Sequence, residues 1–270
     1  MSDGAVDVVA DAAPVLAASG LTLTFGAVTA FTDVDLRIGD GELFAVIGPN
    51  GAGKTSLFNV ISRVYRPTRG AISYRGEDLL HRRPSEMASL GIARTFQNLG
   101  LFHNMSVLDN VLVGRHHLMR SGSLLGGVYA GFAQREEREH RRAAMDVLEF
   151  VGIADRARFP VQVLPYGVQK RVELARALAM EPRLLLLDEP VAGMSAAERT
   201  QITQLVRRIH AERGLTIVLV EHDMGMVMQV AERVMVLDFG RVICVGTPAE
   251  VQHDANVIRA YLGEALEDAS

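Results

Sequence analysis

The sequence predicts an α/β fold: a mostly parallel sheet covered by helices, joined by an N-terminal antiparallel β subdomain and an inserted α-helical subdomain. Three observations lead there. The runs Leu43-Phe-Ala-Val-Ile47, Leu184-Leu-Leu-Leu-Asp188 and Leu215-Thr-Ile-Val-Leu-Val220 are short and apolar on both faces, as strands buried between helices must be. The first of them runs into a glycine-rich loop and then an amphipathic helix. From about residue 85 to 165 the pattern turns helical with arginine-rich polar faces, before strand and helix alternate again.

Each element has its own local reason. Residues 1–14 carry acids where a secretion signal would be basic, and no apolar segment follows, so they read as a loose tail. Residues 15–25 and 32–37 are β-like, and residues 42–48 form a strand after the turn Gly39-Asp-Gly41. Beyond the loop, Leu57, Val60, Ile61 and Val64 recur at helical spacing. Ala144, Val147, Leu148 and Val151 stripe a helix over 135–151, which Gly152 ends, and its acid- and arginine-rich remainder is a solvated face. Another helix is expected near 197–213, and Asp238-Phe-Gly240 turns a closing hairpin of 234–237 with 241–245. Residues 15–265 are expected to form one domain with no internal repeat.

Composition narrows the function classes. Of 270 residues, 49% are hydrophobic and 22% charged, which is globular and not disordered. Lys and Arg number 28 against 32 Asp and Glu, a net charge of −4, so no global basic field exists to hold nucleic acid. The single cysteine, Cys244, cannot close an intramolecular disulfide; in its apolar strand it reads as a buried small hydrophobe. No run approaches the roughly 18 to 20 apolar residues that span a bilayer, which points to a cytoplasmic protein.

The chemistry concentrates in three places. Gly48-Pro-Asn-Gly-Ala-Gly53-Lys54-Thr55 matches the phosphate-binding loop, in which glycines turn backbone N–H groups toward phosphate oxygens, the helix N-terminus adds its positive end, Lys54 neutralises charge and Thr55 offers a hydroxyl to Mg²⁺. Asp188-Glu189 closes a buried strand with one acid suited to Mg²⁺ and a second suited to polarising attacking water. Glu221-His222-Asp223 closes another; a metal site there would need further ligands at the proper spacing, whereas a strand-end histidine can reach a terminal phosphate.

The ordered set of that loop, Gln97 in Arg94-Thr-Phe-Gln-Asn, Leu164-Pro-Tyr-Gly-Val-Gln169 leading into a helix, residues 184–190 and His222 resembles an ABC-type ATPase subunit from residue 15 to 263. The phrases Ala93-Arg-Thr-Phe-Gln-Asn-Leu-Gly-Leu-Phe102, Glu189-Pro-Val-Ala-Gly-Met-Ser195 and Val257-Ile-Arg-Ala-Tyr-Leu-Gly-Glu264 are similar to the LivG type, which serves branched-chain amino-acid importers. The resemblance implies ATP and Mg²⁺ as cofactors. Phe25 would stack on adenine. Gly48, Asn50, Gly51, Ala52, Gly53, Lys54, Thr55 and Ser56 would hold the phosphates, and Thr55, Gln97 and Asp188 would serve Mg²⁺. Glu189 would be the general base, His222 would hold the γ-phosphate, and Gly167 and Gln169 would belong to the signature element that clasps nucleotide on an opposite subunit. Implied partners are two membrane permease subunits, a second ATP-binding subunit in a homo- or heterodimer and, indirectly, an extracytoplasmic binding protein, with the chain peripheral on the cytoplasmic face of the inner membrane and no nucleic acid bound. A lipopolysaccharide-type exporter ATPase and a soluble ABC ATPase outside transport are the alternatives.

Two departures stand out. Where the signature usually reads Leu-Ser-Gly-Gly-Gln, Pro165 supplies neither hydroxyl nor N–H, so a weakened but working clasp is expected. Ser195 replaces a usual aspartate, which puts communication between the two sites in doubt.

Overall fold

The computed structural model describes residues 13–96, 99–119 and 130–267. Two sheets organise it. An antiparallel sheet of order β2-β1-β4-β5 is built from β1 (Leu16–Phe25), β2 (Val28–Ile38), β4 (Arg69–Tyr74) and β5 (Glu77–Asp78). A six-stranded sheet of order β10-β9-β3-β8-β7-β6 comprises β3 (Leu43–Ile47), β6 (Ile92–Arg94), β7 (Leu184–Asp188), β8 (Thr216–Val220), β9 (Arg233–Asp238) and β10 (Arg241–Gly246). All its pairings are parallel except β9 with the edge strand β10.

Every residue of β3, β7 and β8 is buried, which is why these runs carry no polar alternation. Leu184, Leu185, Leu186 and Leu187 are fully buried, each contributing roughly 1.5–3 kcal/mol relative to exposure. Two apolar clusters result. One packs the antiparallel sheet and α1 (Lys54–Ile61) against one face of the large sheet; the other fills the opposite face beneath α2 (Val107–Gly114), α3 (Ala130–Phe150), α4 (Tyr166–Leu178), α5 (Ala196–Arg213) and α6 (Met224–Val230). The chain closes with α7 (Pro248–His253) and α8 (Ala255–Glu267) beside β10.

Local rules account for the element ends. Ser195 and Glu198 form a reciprocal capping box at the start of α5, and Gly214 at φ +59° ends it. Gly152, at φ +75°, follows α3, whose stripe of Ala144, Val147, Leu148 and Val151 is buried.

Several expectations shift. The helix expected over 135–151 begins at Ala130, and the strand expected over 32–37 is the longer β2. β6 lies inside the interval expected to be helical: its three residues are too few to show a period, and it is a strand because β7 pairs with it. α4, beyond that interval, packs on α2 and α3. α1 stops at Ile61, leaving Val64 52% exposed. Cys244 is half-buried, not buried, since β10 is an edge strand with partial cover, although burial still pushes its thiol upward. Most of the expected tail, residues 1–12, lies outside the described residues.

Candidate active site at the strand ends

Register brings the three chemical segments together. Val46 of β3 and Asp188 of β7 both pair with Val220 of β8, so the C-terminal ends of three neighbouring parallel strands lie level. The glycine loop leaves β3 there, Glu189 leaves β7, and Glu221 with His222 leaves β8. The carboxyl ends of parallel strands are where α/β sheets place ligands.

The loop's glycines are imposed by neighbours. A Cβ on Gly48, at φ +149°, would collide with the Leu237 carbonyl oxygen, and one on Gly53, at φ +98°, would lie 2.5 Å from that of Ala30. No side chain caps the N-terminus of α1, and its first turn carries no acid, which leaves the helix's positive end suited to an anion. Lys54, 6% exposed, donates from Nζ to the carbonyls of Gly48 at 2.5 Å and Pro49 at 2.8 Å, so the ammonium is held inside the loop. Asn50, Gly51 and Thr55 are exposed, Ser56 is half-buried and Ala52 is buried.

On β7, Asp188 Oδ2 accepts from Arg94 at 2.8 Å, a pair buried at both ends. Asp188 Oδ1 is buried with no hydrogen-bond partner among the described residues. Arg94 also donates to Asn59 and Ser62 at 2.7 Å and lies over the rings of Phe58 and Phe96. Glu189 takes φ +46°, a costly conformation for a non-glycine residue, and its N–H donates to the Val220 carbonyl at 2.9 Å. Its carboxylate lies 3.9 Å from His222 Nδ1, whose ring is 55% exposed.

Glu221 is the fully buried member of this edge. Its carboxylate accepts from the N–H groups of Val191, His222 and Asp223 at 3.0–3.2 Å, pinning the loops after β7 and β8 to one another. Desolvation raises its pKa, only partly offset by those donors. A raised folded value means the folded state holds this proton more tightly than the unfolded chain. The stabilisation is complete below the unfolded value and is lost as pH rises through the folded one. Glu221→Gln is therefore expected to flatten stability against pH in that window. Glu221→Ala, which strands three donors, should cost about 2–4 kcal/mol in urea unfolding; an unchanged midpoint would refute the pinning role.

Gly167 sits in the first turn of α4, whose cap residue Pro165 accepts from the N–H groups of Val168 and Gln169 at 3.0 Å. The Gln169 amide donates back to the Leu164 carbonyl at 2.8 Å, bracing its own turn. Tyr166 Oη donates to Ala192 in the loop after β7. The Glu198 carboxylate lies against Gly167: a Cβ there would stand 2.7 Å from Glu198 Oε1. The hydroxyl and N–H of Ser195, with the N–H of Gly167, hold the Glu198 pKa low. Ser195 thus does the N-cap work that an aspartate would do.

Gln97 lies outside the described residues. Its flanks are anchored to α4: the Phe96 N–H donates to the buried Glu173 at 2.8 Å, and Arg176 donates to the Gly100 carbonyl. Phe25, at the far end of β1, is 47% exposed. Sequence reasoning gave no role to Arg94, Glu198 or Glu221. Only Glu221 left a signal, because it continues a strand buried on both faces.

Comparison with known proteins accords with this geometry. The family model described as ABC transporter matches residues 31–192, the glycine loop, Asp188 and Glu189 included. The chain belongs to the ABC transporter ATP-binding family. A second family model, described as branched-chain amino acid ATP-binding cassette transporter, matches residues 241–267 of this ABC protein. The branched-chain amino acid transport ATP-binding protein BraF of Pseudomonas aeruginosa is 38% identical over 93% of this chain and 99% of its own. LivG of Escherichia coli, of the same description, is 37% identical over the same shares. The sulfate/thiosulfate import ATP-binding protein CysA of Bradyrhizobium diazoefficiens is 34% identical over 92% of this chain and 68% of its own. Among solved structures, the ADP conformation of the cassette MJ1267 superposes with TM-score 0.81 at 28% identity, covering 93% of this chain and all of that one. As an ABC cassette, this protein binds ATP and is an ATPase.

Proposed function

We propose that this ABC ATPase energises import of branched-chain or related amino acids, as one of two cassette subunits that close on ATP beneath a pair of membrane permeases. The observation that carries the substrate class is the match of residues 241–267 to the branched-chain amino acid cassette model, a segment that a general ABC likeness does not require. Among the described residues no helix is long and apolar enough to cross a membrane, so the translocation path is assigned to other chains.

In this reading the triphosphate lies on the glycine loop, with the N–H groups of residues 50–56 and the Lys54 ammonium turned from loop carbonyls to phosphate oxygens. A buried carboxylate oxygen on Asp188 that has no hydrogen-bond partner among the described residues fits the shell of a hydrated Mg²⁺, while Arg94 fixes the other oxygen. Thr55 and Gln97 would complete that shell. Bound there, Mg²⁺ would neutralise charge on the β- and γ-phosphates. Glu189 takes the proton of the attacking water on its carboxylate, and His222, beside it, holds the γ-phosphate. Gly167 of each subunit faces the nucleotide of the other, so Glu198 must move aside as the dimer closes; Pro165 leaves that clasp one donor short.

The permease surface in this reading is the apolar groove beside the Gln97 loop, lined by Val64, Met87, Phe96, Phe102 and Val113. Phe96 and Phe102 are 46% and 51% exposed there.

The test is ATP hydrolysis by the complete complex in lipid, with binding protein loaded from a panel of amino acids and amides. Stimulation by leucine, isoleucine or valine is expected. Stimulation by another ligand would replace the substrate class, and hydrolysis indifferent to all of them would favour the exporter alternative.

A further inference from the structure

Two aromatic rings belong to neither hydrophobic cluster. Phe25 ends β1 and Tyr65 follows α1; they are 47% and 37% exposed. Their centroids are 5.2 Å apart with planes at 77°, the edge-to-face arrangement that aromatic pairs prefer. This pairing holds the two rings against each other while leaving each partly exposed.

The backbone around Tyr65 is held firmly. Its N–H donates to the Asn59 carbonyl at 2.9 Å. The preceding Arg63 adopts φ +62° and bonds to the carbonyls of Leu80 and Arg82. On the other side, the hydroxyls of Thr24 and Thr68 are 3.0 Å apart, tying β1 to the segment just past Tyr65. Both rings are therefore mounted on anchored backbone.

Their distance from the phosphate loop suits a nucleoside. Phe25 pairs with Val28 across the β1–β2 turn, and Ala30, two residues further along β2, is the residue that crowds Gly53 of the loop. Two strand residues span roughly 7 Å. A triphosphate seated on the loop would carry its base out to this ring pair.

We propose that Tyr65 is a positioning residue of the nucleobase subsite: it holds the Phe25 ring at a fixed angle, so that Phe25 meets the base already oriented. The proposal rests on the reading of Phe25 as the adenine-stacking ring. It is tested on the full chain by measuring equilibrium binding of ATP and of tripolyphosphate, which lacks the base, to Tyr65→Ala, Tyr65→Phe and Phe25→Ala. Tyr65→Ala should weaken ATP by about two- to tenfold, the worth of an aromatic pair, with tripolyphosphate binding and kcat at saturating ATP unchanged. Tyr65→Phe should retain ATP affinity, because the ring and not the hydroxyl makes the contact. If Phe25→Ala weakens ATP selectively and Tyr65→Ala does not, the Tyr65 proposal is overturned while the Phe25 reading stands. Equal losses for ATP and tripolyphosphate in Tyr65→Ala would mean general damage and also overturn it. No selective loss in either alanine variant would remove the nucleobase reading itself.

Discussion

Glu189→Gln is expected to lower ATP turnover by about 10²–10⁴, the contribution of a positioned general base, while leaving ATP affinity essentially unchanged. Glutamine matches glutamate in size and can keep the same place between Val220 and His222, but its amide cannot accept the proton that attack by water releases. Geometry favours this residue over its neighbours. Asp188 is tied to Arg94 at 2.8 Å, and the Glu221 carboxylate is occupied by three backbone donors. Glu189 stands at the mouth of the edge, beside a half-exposed histidine, on a backbone at φ +46°. Phosphate release measured together with size-exclusion chromatography in ATP should show lost turnover and an accumulated closed dimer. A parental rate in the variant would eliminate Glu189 as the base.

Lys54→Ala is the second large effect. In the structure the ammonium is buried and donates to the Gly48 and Pro49 carbonyls. Phosphate oxygens carry more negative charge than carbonyls, and a charge-assisted bond contributes about 1.5–3 kcal/mol, so loss of one such bond weakens ATP by about 10- to 150-fold. Loss of charge neutralisation at the terminal phosphate should also abolish turnover. The same change deprives two loop carbonyls of a donor, which makes a modest drop in stability part of the expectation. Titration with ATP and, in parallel, urea unfolding separate the two effects. Parental ATP affinity would exclude Lys54 from the phosphate site, whatever the stability.

Much of this was legible because it is local chemistry. Residues 43–47, 184–188 and 215–220 read as buried strands through their unbroken apolar composition, and the structure places β3, β7 and β8 there within a residue. The glycine loop was legible because its backbone excludes side chains at Gly48 and Gly53, and the end of α3 because Gly152, at φ +75°, follows it. The opposite happened where the signal was short or shared. β6 is too short for a period, and Cys244 sits in a strand whose edge position no local pattern reveals.

Short-range rules therefore reveal the buried strands β3, β7 and β8, the position of the phosphate loop and the residue types able to do phosphoryl chemistry, since steric and hydrophobic effects act over a few neighbouring residues. Tertiary packing alone brings Arg94 to Asp188, buries Glu221 rather than Asp223, lays Glu198 over Gly167 and sets Tyr65 edge-on to Phe25. Those pairings join residues far apart in the chain or turn on burial. Strand register and packing set them, and the periodicity of either partner's own segment carries no trace of the other.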